Sequence, residues 1–269
     1  MQLPGPGVMG PPRHHDEALA VLRRAVELGV NHIDTAQFYG PEVANDLIRE
    51  ALHPYPDDLA IVSKVGAVRD AKGGWIPAQE PAQLRSAVED NLQTLKTEQL
   101  AVVNLRVMSS HEHPELTPPQ LEDQLAELVA MREEGLLAAV GISTANLEQV
   151  QTAIRLADIV CVQNPYSLAD THDQPVLDLC TEAGIAYVPY FPLGSAFPHL
   201  PKVVDRPGVR AVADRLGVTP AQVGLAWLLQ RSDNVLLIPG TSSLSHLEEN
   251  QACASVTLTA QDLEQLERG

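Results

Sequence analysis

Short apolar runs alternate with longer amphipathic segments from one end of this 269-residue chain to the other. Seven of these runs have the Val, Ile and Leu density of strands that are buried on both faces. The runs are Val30–Asp34, Leu59–Lys64, Ala101–Leu105, Ala138–Ile142, Asp158–Val162, Ile185–Pro189 and Val235–Ile238. Because parallel strands need long crossover connections, the alternation predicts βαβ units and an α/β fold.

The segments between the runs carry the end signals of helices. Glycine readily adopts the left-handed conformation that ends a helix, and we expect two helices to end at Gly29 and Gly135. Polar residues that can accept hydrogen bonds from the first turn precede three other helical segments, at Asn146, Thr219 and Thr259. The crossovers are therefore predicted to be helical.

Seven strands with helical crossovers fit either a doubly wound open sheet or an eight-stranded barrel that is short of one strand. The open sheet would normally carry a glycine-rich phosphate loop after its first strand, but the chain reads VNHIDTAQFYG there. The sequence therefore favours a (β/α)8 TIM barrel. No linker or composition break divides the chain, so residues 1–269 are predicted to form a single domain.

Charge and cysteine content restrict the environment and the partners. The chain has 35 acidic and 18 basic side chains, a net charge of −17, which repels nucleic acid and anionic lipid but still allows a locally basic pocket. Cys161, Cys180 and Cys253 are far apart in apolar surroundings, as is typical of reduced core thiols. We expect a cytoplasmic protein without a signal peptide, a membrane span or a metal site.

Three residues that could carry chemistry lie at the ends of the first two runs. Asp34 ends the first run, Tyr39 follows in the next loop, and Lys64 ends the second run. The carboxyl ends of barrel strands form the face on which active sites are built. Taken singly, these residues have ordinary structural roles in capping, packing and solvation. Together they form the order D-T-A-x-x-Y-G followed by I-V-S-K.

This order resembles the aldo-keto reductases, a family in which an Asp, a Tyr, a Lys and usually a His form the active site of an eight-stranded barrel. Its members transfer hydride from NADPH to a carbonyl group. The resemblance implies that Tyr39 donates the proton, that Lys64 makes Tyr39 a stronger acid, and that Asp34 orients and balances Lys64. A phenol is a poor acid at neutral pH, and a neighbouring ammonium favours its phenolate form.

The strand on which the family carries its His reads A-V-V-N-L-R-V-M here, and Arg106 stands in the place of the His. A guanidinium can hold the carbonyl oxygen, but it cannot exchange a proton as an imidazole does. The alternative is that Arg106 pairs with an acidic residue. Asn104 is two residues back and is expected on the same face. The N-L-R sequence resembles the branch that contains pyridoxal and pyridoxine reductases, which implies a pyridoxal-like substrate.

Further residues follow the family's order of cofactor contacts. The resemblance implies contacts to the nicotinamide carboxamide from Ser143, Thr144 and Gln163, and a ring-stacking contact from Tyr190. An aromatic ring there would supply apolar area against the nicotinamide face. The pyrophosphate loop comes next, with Leu193, Gly194 and Ser195.

The segment I-P-G-T-S-S-L-S-H-L-E-E-N resembles the loop that holds the adenosine phosphate. Its implied contacts are Pro239, Gly240, Thr241, Ser242, His246, Glu249 and Asn250. NADPH-binding members commonly carry a Lys and an Arg where this chain has Gly240 and His246, although hydroxyls and backbone N–H groups at the helix start can still donate. NADPH is therefore the expected cofactor, and NADH stays open.

The resemblance covers nearly the whole chain but begins late. Family members carry a leading hairpin and a first strand that ends in a G-x-G-x-M type motif, and Met1 stands at the Met of that motif. We therefore expect a truncated first strand. The missing His and the shortened strand leave open an alternative function, a nicotinamide-cofactor-binding sensor or regulatory subunit with little turnover. Steady NADPH consumption with a panel of aldehydes would distinguish the enzyme from that alternative.

Overall fold

The computed structural model describes residues 2–108, 120–194 and 201–268. The chain divides into two compact units. Unit 1 consists of Met1–Val162 and Gly240–Leu244, and unit 2 consists of Gln163–Pro239 and Ser245–Gly269. The single domain over residues 1–269 stays a prediction.

Helices and strands alternate in unit 1, as the sequence predicts. Its helices are α1 (His15–Glu27), α2 (Val43–Leu52), α3 (Pro81–Leu95), α4 (Leu121–Glu133) and α5 (Leu147–Ala157). Its strands are β1 (His32–Asp34), β2 (Ala60–Val65), β3 (Ala67–Arg69), β4 (Trp75–Pro77), β5 (Leu100–Arg106), β6 (Leu137–Ser143) and β7 (Cys161–Gln163), whose last residue begins unit 2. The strands β1, β2, β5 and β6 are parallel neighbours in that order.

The register of these parallel strands brings their carboxyl ends together. Lys64 on β2 lies opposite Asn104 on β5, and Arg106 on β5 lies opposite Ser143 on β6. Asp34 lies opposite Val62, two residues before Lys64. Since alternate residues of a strand face the same side, Asp34 and Lys64 share one face of the sheet.

A buried polar network occupies the opposite face. Asn91 of α3 accepts hydrogen bonds from the Ser63 hydroxyl at 2.6 Å and from the Asn45 amide at 3.0 Å. The Thr35 hydroxyl donates to Asn45 Oδ1 at 2.9 Å. Thr35 and Ser63 are the chain neighbours of Asp34 and Lys64, so this network fastens α2 and α3 to the strand ends that position those two residues.

Unit 2 is described by itself. Its elements are α6 (Gln174–Ala183), β8 (Ala186–Tyr187), α7 (Pro207–Leu216), α8 (Pro220–Leu229), α9 (Leu244–Gln251, whose first residue closes unit 1) and α10 (Ala260–Arg268). Tyr166 stacks on Trp227 with ring centroids 5.9 Å apart and meets Tyr187 edge-on. The buried Tyr187 hydroxyl donates to Asp173 at 2.6 Å.

The predicted helix ends are confirmed. Asn146 and Thr219 accept hydrogen bonds from the backbone N–H groups three residues on, and Thr259 accepts one from the Asp262 N–H. Gly29 and Gly135 both adopt positive φ, at 87° and 86°. Cys161, Cys180 and Cys253 are free and buried, as expected, and burial raises the pKa of the Cys180 thiol to about 12.

Six of the seven predicted runs contain strands, whereas the prediction of a strand at Val235–Ile238 is wrong. In Val235–Ile238 only Val235 pairs, through an isolated parallel bridge to Tyr187, next to a hydrogen bond from the Leu236 N–H to the Tyr187 carbonyl. The partner strand β8 has only two residues, and Pro239, which follows the run, has no N–H to continue a ladder. The apolar run therefore does not extend the sheet, and its side chains are half-buried or exposed.

In residues 2–108 no strand precedes β1. That stretch instead contains a 3-10 turn at Pro6–Val8 and an isolated parallel bridge between Met9 and Gly40. Gly5–Gly10 matches the spacing G-x-G-x-x-G, but it follows no strand and ends five residues before α1 begins. It therefore lacks the strand-to-helix setting of a dinucleotide loop.

We expect Asn91→Leu to lower the free energy of unfolding by about 2 to 3 kcal/mol, because it leaves the buried Ser63 hydroxyl and Asn45 amide without their acceptor. Urea denaturation measures the change. Ser63→Ala removes one hydrogen bond without burying an unpaired donor and should cost about 1 kcal/mol. Equal losses in the two variants would contradict the role of Asn91 as the centre of the network.

Candidate functional site

A buried ion pair joins the ends of β1 and β2. The Lys64 ammonium lies 2.5 Å from Asp34 Oδ1 and also donates to the Thr35 carbonyl at 3.0 Å. Both side chains of the pair are only 5% exposed. The sequence places both residues at strand ends, and the parallel register brings them together.

Burial alone would lower the pKa of Lys64, since it disfavours the charged form. The Asp34 carboxylate and the Tyr39 phenol oppose this effect through charge and hydrogen bonding, and together they raise the pKa of Lys64 above its usual value. The ammonium is therefore held protonated across the neutral range.

Tyr39 lies against this pair. Lys64 Nζ is 5.2 Å from the centroid of the Tyr39 ring, and the ring of Phe38 meets it edge-on at 5.3 Å. The Tyr39 N–H donates to the Ala36 carbonyl, which closes the turn between β1 and α2. The structure thus brings Asp34, Tyr39 and Lys64 together, as the sequence predicts.

Arg106 lies at the end of β5 among aromatic rings. Its Cζ atom is 4.2 Å from the centroid of Trp75 and 6.0 Å from that of Phe38. In the part of the chain that the structure describes, Arg106 forms no ion pair, and its buried Nε has no hydrogen-bond partner. The alternative that Arg106 pairs with an acidic residue therefore has no support among the described side chains.

Asn104 is fully buried beside Lys64 in the sheet register. Its Oδ1 accepts a weak hydrogen bond from Cys161 Sγ at 3.2 Å, whereas its Nδ2 has no partner among the described residues. A Cβ atom on Gly141 would lie 2.2 Å from Asn104 Oδ1 and 2.6 Å from Cys161 Sγ. Gly141 therefore provides the space that this amide occupies.

His32 and the β3–β4 hairpin supply neighbours that the sequence reasoning missed. His32 shares the face of Asp34 on β1; its Nε2 is buried without a partner among the described residues, and burial lowers its pKa. Trp75 and Arg69 stand on strands of three residues each, which are too short for a periodic signal. No spacing in the sequence indicates that this hairpin reaches Arg106.

The residues predicted for the nicotinamide contact stand in two units. In unit 1, the hydroxyls of Ser143 and Thr144 are 3.3 Å apart, and Thr144 has a positive φ of 60°, which is uncommon for a residue with a side chain. In unit 2, Gln163 is buried at the end of β7, and the Tyr190 ring meets Phe191 edge-on at 5.0 Å. These positions at strand ends agree with the prediction but do not test the contacts.

Leu193 and Gly194 lie in a turn of unit 2, where a Cβ atom on Gly194 would lie 2.3 Å from the Pro201 carbonyl oxygen. Gly194 also has a positive φ of 84°, so only glycine fits this turn without strain. Ser195, the third residue of the predicted pyrophosphate loop, lies outside the described residues.

The predicted adenosine loop runs across the boundary between the units. In unit 1, Thr241 Oγ1 accepts a hydrogen bond from the Ser243 N–H, while Gly240 and Ser242 stand beside it in the chain. In unit 2, the Asn250 amide donates to the Pro239 carbonyl at 3.4 Å, and His246 is exposed.

Glu249, also in unit 2, already accepts a hydrogen bond from the Thr219 hydroxyl at the start of α8. The sequence predicts an adenine contact for Glu249 and gives no sign of this hydrogen bond to Thr219.

The described ranges carry neither a cluster of metal-binding side chains nor a membrane-spanning helix. They contain no group of three or more His, Cys, Asp or Glu side chains that could hold a metal ion. Among the helices in those ranges, none is long and apolar enough to cross a membrane.

Comparisons with known proteins point to one family. The model of the aldo/keto reductase family matches residues 7–268. The chain is 50% identical over 267 residues to the pyridoxine 4-dehydrogenase of Escherichia coli K12, which covers 99% of this chain and 91% of that protein. An uncharacterized oxidoreductase of Schizosaccharomyces pombe is 36% identical over 263 residues, covering 97% and 81% of the two chains.

Solved structures agree with the sequence comparison. An aldo/keto reductase from Klebsiella pneumoniae, solved in complex with NADP and acetate, superposes with a TM-score of 0.80 at 25% identity and covers 94% of this chain and 85% of its own. The predicted resemblance and the α/β barrel fold class are thereby confirmed.

We expect Asp34→Asn to lower the free energy of unfolding by about 3 to 5 kcal/mol at pH 7, because it leaves a buried ammonium without its carboxylate. The pKa of Lys64 should then fall below its unfolded value, so the unfolded state binds more protons and the variant's stability should rise from pH 7 to pH 10. In the wild type the pKa of Lys64 is raised by folding, so Lys64 stabilises the fold at every pH below its unfolded pKa of 10.5. This contribution is lost as the pH rises through the pKa of Lys64 in the folded protein.

The control is the double variant Asp34→Asn with Lys64→Met, which removes both charges. Denaturation by urea at several pH values should show that it recovers part of the stability and lacks the rise with pH. A double variant that is less stable than Asp34→Asn would mean that the ion pair does not hold these strand ends.

Proposed function

The chain belongs to the aldo/keto reductase family and is an NADP(H)-dependent oxidoreductase of carbonyl groups, and we propose that Tyr39 is its proton donor. The observation that carries this proposal is the buried Lys64–Asp34 pair, whose ammonium lies against the Tyr39 ring. A fixed cation next to a phenol, at the end of barrel strands, is suited to acid catalysis on a carbonyl oxygen.

The proton transfer follows from charge. When NADP(H) is bound, it supplies the hydride that adds to the carbonyl carbon, and negative charge then develops on the carbonyl oxygen. Tyr39 donates its phenolic proton to that oxygen and becomes a phenolate. The Lys64 ammonium stabilises the phenolate, and Asp34 fixes the position of the ammonium and keeps it charged.

Arg106 stands where the resemblance implies a histidine, and it differs from a histidine in charge and in its ability to exchange a proton. Its guanidinium stays charged and offers several donors, so it stabilises negative charge on the carbonyl oxygen without exchanging a proton. Its place at the end of β5 and its lack of an ion pair among the described side chains support this role.

The strand end of β6 fits a nicotinamide carboxamide. Ser143 and Thr144 present two hydroxyls within 3.3 Å of each other, and the left-handed backbone of Thr144 is a conformation that is concentrated at ligand sites. We infer that these two residues hold the carboxamide. In the same unit, Gly240, Thr241 and Ser242 precede α9 and can offer hydroxyl and backbone donors to a phosphate.

The remaining cofactor contacts belong to unit 2 and stay predictions. They are Gln163, Tyr190, Leu193, Gly194, Ser195, Pro239, His246, Glu249 and Asn250. NADPH is the proposed cofactor, and NADH stays open because neither Gly240 nor His246 carries a fixed positive charge.

The substrate is a small carbonyl compound, and we propose a pyridoxal-like aldehyde. The relative at 50% identity is named a pyridoxine 4-dehydrogenase, and that similarity supports the finer assignment. We further propose a cytoplasmic enzyme that does not bind nucleic acid, which agrees with three free buried cysteines and a net charge of −17. Turnover of aldehydes with NADPH tests the function against a cofactor-binding sensor.

We expect Tyr39→Phe to lower kcat for aldehyde reduction by about 10²- to 10⁴-fold, because the ring is kept and only the transferable proton is lost. NADPH consumption measures kcat, and quenching of NADPH fluorescence should show a nearly unchanged affinity. The matched control is Tyr55→Phe, which loses a hydroxyl that donates to the Leu95 carbonyl and should keep its kcat. A Tyr39 variant with more than about a tenth of wild-type activity would exclude Tyr39 as the acid.

Cofactor preference gives a separate test. We expect His246→Arg to increase the preference for NADPH over NADH, because a guanidinium carries a fixed charge and binds the 2′-phosphate through paired hydrogen bonds that an imidazole cannot form. The ratio of the two dissociation constants measures the preference. His14→Arg adds the same charge at another exposed histidine and should leave the ratio unchanged. If both variants behave alike, the predicted adenosine loop does not hold the phosphate.

A further inference from the structure

Two arginines share one tryptophan ring beside Tyr39. Arg69 ends β3 and Trp75 begins β4, so the short hairpin places them together, and Arg106 reaches the same ring from β5. The Cζ atoms of Arg69 and Arg106 are each 4.2 Å from the Trp75 centroid. They are therefore no farther apart than twice that distance, in a chain whose charge is otherwise strongly negative.

The two guanidiniums have no acidic ion-pair partner among the described residues. Neither guanidinium forms an ion pair there, and the Nε atoms of both are buried without hydrogen-bond partners. Arg69 donates through Nη2 to the Gly7 carbonyl at 3.2 Å. The nearby Asp70 instead accepts the N–H groups of Lys72 and Gly74 and thereby closes the hairpin turn.

The proximity of two like charges is unfavourable. Burial lowers the pKa of Arg69, and the positive charge of Arg106 lowers it further, against a partial compensation by Asp70. Two guanidiniums that are partly desolvated and lack a carboxylate partner are stabilised when one anion accepts hydrogen bonds from both. Stacking on one indole ring fixes both groups in place for such a ligand.

We propose that Arg69 and Arg106 bind an anionic oxygen group, a carboxylate or a phosphate, that the carbonyl substrate carries. This inference rests on the proposed function, and it names the class of substrate: aldehydes or ketones with an anionic substituent. Stacking on the indole uses the flat faces of the two guanidiniums and leaves their in-plane N–H groups, the donors that bind a carboxylate or phosphate, available at the rim of the ring.

Aromatic rings connect the two arginines to the proposed proton donor. Phe38 meets Trp75 edge-on at 5.0 Å and Tyr39 edge-on at 5.3 Å, so one ring separates the anion site from the proton donor. The test substrates therefore carry the carbonyl and the anionic group on opposite sides of one small ring. A guanidinium has five donors, so Arg106 has enough donors for both groups.

The turnover test uses pairs of aldehydes that differ in charge. 4-Carboxybenzaldehyde is compared with its methyl ester, and 4-formylphenyl phosphate with 4-methoxybenzaldehyde, which distinguishes carboxylate from phosphate. We expect the wild type to favour at least one charged member by tenfold or more in kcat/KM. Arg69→Gln should reduce that ratio at least tenfold. Arg155→Gln, which removes an exposed arginine from α5, should preserve the ratio.

A binding test without turnover separates this inference from the proposed function. Benzoate and phenyl phosphate are titrated calorimetrically into the full chain at two salt concentrations. We expect binding of at least one of them to weaken with salt and to weaken at least tenfold in Arg69→Gln but not in Arg155→Gln. Arg69→Lys keeps the charge but loses the planar guanidinium, so its anion affinity should lie between those of Arg69→Gln and Arg155→Gln. If circular dichroism shows that Arg69→Gln does not fold, Arg69→Lys replaces it in the test.

The two tests together distinguish a failure of this inference from a failure of the proposed function. Reduction of neutral aldehydes without preference for the charged ones, together with anion binding that is insensitive to Arg69, overturns the inference and leaves the proposed function intact. Anion binding that depends on Arg69, in a protein that reduces no aldehyde, supports the site and overturns the proposed function. A preference that falls equally in Arg69→Gln and Arg155→Gln comes from the overall charge and also overturns the inference.

Discussion

The buried ion pair between Lys64 and Asp34 is the interaction on which the candidate site depends. Each of these charges is only 5% exposed and would be strongly destabilising without the other. The ends of β1 and β2 must therefore stay in register. The network through Asn91 holds the same strand ends from the opposite face. Structural stability and the position of Tyr39, the proposed proton donor, therefore rest on the same few residues, and we expect a defect on either face to move Tyr39.

Much of this arrangement could be predicted from the sequence. The apolar runs predicted six of the strands, and the caps at Asn146, Thr219 and Thr259 predicted helix starts, because burial and capping leave local patterns. The run at Val235–Ile238 was wrong as a strand, since strand pairing depends on a partner that lies elsewhere in the chain. The surroundings of Arg106 could not be predicted for the same reason: Trp75 and Arg69 reach it from a hairpin too short to leave a period.

Arg106 places a permanent charge where the resemblance to the family implies a histidine. An imidazole at that strand end can be neutral, whereas a guanidinium brings a permanent charge that its surroundings must accommodate. The aromatic faces of Trp75 and Phe38 accommodate part of it. The buried Nε of Arg106 has no hydrogen-bond partner among the described residues. The protein itself therefore leaves one donor of this guanidinium unsatisfied.

The β3–β4 hairpin pairs only with itself and takes no part in the parallel ladder of β1, β2, β5 and β6. Changes in its sequence therefore leave intact the strand pairing that aligns Asp34 and Lys64. The proposed proton donor and its ion pair stand beside the ladder, whereas Arg69, one of the two arginines proposed to bind the anionic group of the substrate, stands on the hairpin. Such a division lets evolution alter the compounds that an enzyme accepts while the reaction stays the same, and it marks Ala67–Pro77 as the segment to randomise in a search for new activities.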